Sequence, residues 1–208
     1  MSERIRILCV DDHRIVREGI AAVIGRQPDM EVIGAAATGA QAIEFYRQHR
    51  PDITLMDLQL PVVTGLEAIR TIRGFDPDAR IVVLTTYHGD EDIYQALHAG
   101  AATYLLKDAI LDDLARVVRE VHHGARPLSE DVVNILAARA RNVPLTGREV
   151  EVLELIAEGL RNKEVADALG ITEETAKVHV KNLFKKLSVS DRTAAVTQAL
   201  RRGILHVH

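Results

Sequence analysis

The sequence predicts two domains of different class: a doubly wound, parallel five-stranded α/β domain over residues 1–124 and a small all-α domain over residues 144–208. A helix-bearing linker over residues 125–143 joins them. Five short apolar runs alternate with helically spaced stretches in the first part, and no strand-like run follows Leu145. The charge also changes sign along the chain: residues 1–124 carry 13 Lys and Arg against 19 Asp and Glu, while residues 161–208 carry 9 against 5. An acidic front and a basic tail point to different partners, and the tail suits nucleic acid.

The strands are read from runs rich in β-branched residues at Ile5–Val10, Met30–Ala36, Ile53–Met56, Ile81–Thr85 and Thr103–Leu106. Between them lie stretches of helical period, marked by Ile15, Gly19, Ala22 and Val23, and by Ala42, Phe45 and Tyr46. Thr38 and Gln41 have capping-box spacing at the start of the second helix. Five strand–helix repeats require a parallel sheet covered on both faces. Pro127, a short helical pattern (Val132, Val133, Leu136, Ala137) and Pro144 then mark the linker. Thr146 with Glu149 forms a capping box for a helix through Glu158, ended by Gly159. A short helix over Asn162–Leu169 stops at Gly170, Thr172 caps a third through Leu187, and a fourth starts at Ser190 or Asp191 and ends at Gly203.

Composition narrows the function classes. With 47% apolar residues the chain can bury a core. No apolar stretch approaches the ~20 residues that span a bilayer, and the apolar segment of MSERIRILCV is too short for a signal peptide. The single Cys9 allows no internal disulfide and lies in an apolar run, which predicts core packing and a reducing compartment. The expected setting is cytoplasmic, with no membrane partner.

The stretch ITLMDLQLP, residues 53–61, ends a buried run in a carboxylate, Asp57, a costly placement unless something pairs with it. Asp11 and Asp12 follow the first strand, Thr85 closes the fourth and Lys107 follows the fifth. All fall at the carboxyl ends of parallel strands, where ligands bind in such folds. Three carboxylates gathered there repel one another, so at least one pKa rises unless a cation is present. A hard divalent ion such as Mg²⁺ relieves that repulsion and takes carboxylate and phosphate oxygens. A lysine and a hydroxyl beside it suit a phosphoryl group.

DD at 11–12, D at 57 with P at 61 and G at 65, T at 85 and K at 107 resemble, in order and spacing, the receiver domain of two-component response regulators, a flavodoxin-like fold. The likeness covers roughly residues 4–124. It implies that Asp57 is a nucleophile accepting a phosphoryl group from the phosphohistidine of a sensor histidine kinase. It also implies that Asp12, Asp57 and the backbone carbonyl of Gln59 hold Mg²⁺ with help from Asp11. Lys107 and Thr85 would grip the phosphoryl oxygens, and Tyr104 would be the switch aromatic. The sequence departs from the commonest pattern in PVVTG, where many members have Met and Asp or Asn before the glycine, and in Gln59. Asp11 and Asp12 are also placed to cap the helix that begins near His13.

In the all-α part, ~100° per residue puts Ala176, Val180, Leu183, Phe184 and Leu187 on one face of the third helix. Lys177, Lys181 and Lys185 lie on the other side with an outward Val178, an apolar group placed where a base methyl is read. The helix over Asn162–Leu169 and the turn at Gly170–Ile171 complete a helix-turn-helix, whose second helix enters the major groove. LTGREVEVLELIAEGLRNKEVADALGITEETAKVHVKNLFKKL closely resembles the LuxR-type (NarL/FixJ) DNA-binding domain. That likeness implies base-edge contacts from Lys177, Val178 and Lys181, backbone contacts from Asn162, Lys163 and Lys185, and dimerisation through the last helix. Glu173 and Glu174 suit the helix dipole but repel phosphates.

His88, His98, His122 and His123 lack a Cys or acid set at metal-ligand spacing, so no metal is assigned to them. His179 on the lysine helix is placed for packing or for a phosphate contact. The resemblances together imply a phosphorylation-regulated transcription factor that dimerises when phosphorylated and binds pseudo-palindromic double-stranded DNA. Two other readings are a constitutive DNA-binding regulator with a vestigial receiver and an aspartyl-phosphate phosphatase. The latter needs a second acid where Gln59 stands, so the chain is not expected to be an enzyme.

Overall fold

The computed structural model describes residues 4–86, 89–107 and 110–206, with the side chains of 110–112 excepted. His88 and His208 lie outside them. The chain forms two compact units. The first carries β1 (Ile5–Val10), α1 (Arg14–Gly25), β2 (Met30–Ala36), α2 (Gly39–His49), β3 (Ile53–Asp57), α3 (Gly65–Phe75), β4 (Ile81–Thr85), α4 (Asp90–His98) from Ile93 onward, β5 (Thr103–Leu106) and α5 (Ile110–His122). All strands pair in parallel in the order β2-β1-β3-β4-β5. The order reverses between β1 and β3, the switch point where such sheets open a crevice.

Strands β3 and β4 are buried at every residue, as parallel strands covered on both faces must be. β3 runs one residue further than the apolar pattern implied, so Asp57 is its last member. Cys9 is buried in the core, and burial pushes its thiol up to about 12, which makes it inert packing. The apolar face of α1 differs from the one its spacing marked. Ile15 is 80% exposed, while Ile20 and Ile24 are buried with Val16 and Val23 packed beside them. Ile15 and Val16 are adjacent and both apolar, so the period alone fits two faces. Thr38 caps α2 by accepting from the Gln41 backbone N–H at 3.2 Å. The Gln41 side chain turns back to the Ala37 N–H at 2.9 Å, one residue short of a full capping box.

After α6 (Glu130–Arg139), the second unit carries α7 (Gly147–Ala157), α8 (Asn162–Leu169), α9 (Glu173–Leu187) and α10 (Arg192–Arg201). Thr146 and Glu149 form the reciprocal capping box of α7. Gly159 (φ +92°) and Gly170 (φ +63°) end α7 and α8 in the left-handed region, where a side chain is strained. Asp191 caps α10. Val152, Leu153, Ile156, Val165, Ala176, Leu183 and Ala195 close the core of this unit. Among the described residues no helix is long and apolar enough to cross a membrane.

Candidate functional site

The sheet register assembles the first site. Val10 lies opposite Met56, so Asp11 and Asp57 leave adjacent strands side by side. Asp57 lies opposite Leu84 and Thr85 opposite Leu106, which carries Thr85 and Lys107 to the same edge. Gly65 lets α3 start directly against Asp57: a Cβ there would lie 1.9 Å from the Asp57 carbonyl oxygen. The glycine of the PVVTG stretch is thus required by close approach. Val62 in the same stretch has φ +68° and is 97% exposed, an unfavourable conformation for a β-branched residue.

At this edge the Lys107 ammonium donates to Asp57 Oδ2 at 2.8 Å. It also stands 2.6 Å from Asp11 Oδ2, so one ammonium is shared by the two carboxylates. The three side chains are at most 12% exposed. Burial pushes the Asp57 carboxyl up; Lys107 pulls it down and Asp11 pushes it up again, and it stays above the ordinary carboxylate value. Burial alone lowers the Lys107 ammonium, but its two carboxylates outweigh that and hold its pKa above the usual lysine value. The expected repulsion is therefore present, and one lysine partly offsets it. Thr85 and Tyr104 are buried near the strand ends, and Gln59 donates its backbone N–H toward Asp57 Oδ1 at 3.4 Å.

Asp11 Oδ1 accepts the His13 backbone N–H at 2.8 Å, but His13 is itself the N-cap of α1, so Asp11 shapes the turn before the helix and does not cap it. Among the described residues, one group has metal-ligand atoms all within 4.8 Å of one another: Asp11, Asp12 and His13. Asp57 is not in it. His13 drew no attention in the sequence; its only signal was adjacency to the acid pair. Arg17, equally unmarked, donates to the Asp11 carbonyl. Two buried carboxylates sharing one lysine and a partly exposed third, Asp12, form an oxygen-donor set that suits a divalent cation.

The second unit presents α9 as the spacing indicated. Ala176, Val180, Leu183 and Leu187 are buried, and Lys177, Lys181 and Lys185 are exposed. Val178 is 56% exposed between them. Lys177 pairs with Glu173 at 2.8 Å one turn back, so Glu173 shields the first lysine of the row. Lys163 is exposed, whereas the Asn162 side chain accepts from Arg192, a partner not anticipated from sequence. Lys186 is structural: it reaches Glu149 at 2.6 Å and the Pro144 carbonyl at 3.1 Å.

An acid pocket with a bridging lysine at the edge of a parallel sheet, and a helix-turn-helix in a separate unit, define a receiver-coupled DNA-binding regulator. The family model of the response regulator receiver domain matches residues 7–119, and that of bacterial regulatory proteins of the luxR family matches residues 143–199. The transcriptional regulatory protein LiaR of Bacillus subtilis is 40% identical over 210 residues, covering 97% of this chain and 100% of LiaR. The response regulator protein VraR of Staphylococcus aureus is 39% identical over 206 residues, covering 97% of this chain and 99% of its own. Among solved structures, the response regulator ChrA of a heme-sensing two-component system is 33% identical, covers 97% of this chain and 99% of its own, and has a TM-score of 0.59. The chain belongs to the two-component response regulators with a LuxR-type helix-turn-helix, and is a phosphorylation-regulated, DNA-binding transcriptional regulator rather than an enzyme.

Proposed function

We propose that Asp57 is the phosphoacceptor and that a sensor histidine kinase is the donor, in the cytoplasm. A carboxylate oxygen of Asp57 forms a bond to phosphorus as the bond from phosphorus to the donor imidazole nitrogen breaks, its electron pair returning to that nitrogen. The single observation that supports this reading best is Lys107, whose ammonium lies within 2.8 Å of both Asp57 and Asp11. It is placed to exchange a carboxylate oxygen for a phosphoryl oxygen. Asp11 and Asp12, with Asp57 and the Gln59 carbonyl, would hold Mg²⁺. That ion would offset their charge and bind phosphoryl oxygens.

Thr85, drawn to the phosphoryl group, and Tyr104 behind it would carry the change along β4 and β5, so that a local charge change biases a two-state element. The receiver is assigned residues 1–124, the linker 125–143 and the DNA-binding domain 144–208. Phosphorylated dimers then bind pseudo-palindromic sites in double-stranded DNA, with Lys177, Val178 and Lys181 at base edges and Asn162, Lys163 and Lys185 along the backbone. The test is incubation with Mg²⁺ and acetyl phosphate, followed by intact mass and light-scattering mass. One added phosphoryl group and a monomer-to-dimer shift are expected, both lost in Asp57→Asn. Phosphoryl uptake by that variant would refute the assignment.

A further inference from the structure

The acid pocket departs from an all-oxygen site at one residue. His13 Nδ1 lies 2.6 Å from Asp12 Oδ1 and 3.5 Å from Asp11 Oδ1. The local chain explains the placement. His13 is the N-cap residue of α1, in extended conformation, and its side chain makes no capping bond. Its backbone N–H is held by Asp11 Oδ1, which fixes the turn and sets the imidazole against the same two carboxylates. Asp11 Oδ2 is buried and stands 2.6 Å from the Lys107 ammonium, which it shares with Asp57.

Mg²⁺ takes oxygen ligands and keeps much of its water, whereas Mn²⁺, Co²⁺ and Zn²⁺ accept imidazole readily. We propose that His13, through Nδ1, is an additional protein ligand, the one nitrogen donor, of the divalent ion held at the acid pocket. The site thereby favours imidazole-accepting transition ions over Mg²⁺ by more than its carboxylates alone give. This rests on the proposed metal-binding reading of the pocket. The ring is 70% exposed, so its replacement leaves the core untouched.

The experiment titrates the full chain separately with Mg²⁺ and with Co²⁺ by calorimetry, for the wild type, His13→Ala and Asp12→Asn, and records the visible absorption of bound Co²⁺. The comparison isolates His13 from the other histidines of the nine in the chain. His13→Ala is expected to weaken Co²⁺ binding about tenfold or more, to change the Co²⁺ spectrum and to leave Mg²⁺ binding in place. Unchanged Co²⁺ affinity would overturn the proposal. So would tighter binding of both ions, because the imidazole would then be only a competing partner of Asp12. A wild type that binds neither ion, or an Asp12→Asn variant that binds both as well as the wild type, would instead refute the metal reading itself.

Discussion

Lys107→Met keeps most of the aliphatic stem and removes the one ammonium shared by Asp57 and Asp11. Both carboxylates are left buried without it. Removing one partner of a buried pair costs about 3–5 kcal/mol. The fold has one escape, which is to protonate a carboxyl. At pH 7 that costs about 4 kcal/mol, since each pH unit above the ordinary 3.8 is worth about 1.4 kcal/mol. A loss of about 3–4 kcal/mol is therefore expected at pH 7. The sign of the pH dependence follows from Asp57, whose folded pKa is already raised. Stability from such a group is complete below the unfolded value and is lost as pH rises through the folded one. Without Lys107 that folded value rises further. At pH 5 the escape costs only about 1.6 kcal/mol, so about half of the deficit should disappear. All four tyrosines lie in residues 1–124, so tyrosine fluorescence in a urea titration of the full chain reports on this part. A deficit below about 1 kcal/mol at pH 7, or one that persists undiminished at pH 5, would show that the lysine does not offset these charges.

Three further outcomes are expected. Val62→Asn relieves a left-handed β-branched residue at a fully solvated position and should raise the stability of the first unit by about 1 kcal/mol; the same urea titration checks it, and no gain would mean that the turn carries no strain. For Glu149, burial pushes the carboxyl up, but Lys186 and the Thr146 groups outweigh it and hold the pKa below the ordinary 4.5. Its contribution is therefore present above 4.5 and lost as pH falls through the folded value. Circular dichroism against pH should show the second unit weakening on acidification, with a smaller dependence in Glu149→Gln. Lys181→Ala should weaken specific DNA binding by about 1–3 kcal/mol in a gel-shift or anisotropy titration, and unchanged affinity would remove Lys181 from the interface.

The fold was legible because its signals are local and repeated. Five apolar runs rich in β-branched residues give the strands, and Thr146, Thr172 and Gly170 punctuate the helices by side-chain and backbone chemistry that needs no tertiary context. Where two faces were both apolar, as around Ile15 and Val16, the period could not choose between them, and packing against the sheet did. The acid pocket was legible for the same reason that it forms: residues at a strand end or one step beyond it are brought together by register alone. His13 and Arg17 were not, because they begin a helix whose orientation is set by the turn at Asp11. The partners of Asn162 and Lys186 were hidden by sequence distance, since Arg192 and Glu149 lie 30 and 37 residues away.

The charge balance of the pocket also gives direction to the proposed switch. Two buried carboxylates share one lysine, and a partly exposed third, Asp12, has the His13 imidazole beside it, so the resting site is short of positive charge. Turning the Asp57 carboxylate into an acyl phosphate adds further negative charge and new acceptor oxygens at the same place. Lys107 cannot keep both of its present contacts and also meet the phosphoryl group at full strength. Its reach is set by β5, whose Leu106 is registered to Thr85. A demand for charge at Asp57 is thus felt first on β5 and β4, the two strands that carry Tyr104 and Thr85. The outer side of the sheet, β1 and β2, contributes Asp11 but no residue that must move toward the phosphoryl group. If Asp57 takes the phosphoryl group as proposed, the conformational response would be polarised toward β4 and β5 by the position of a single ammonium.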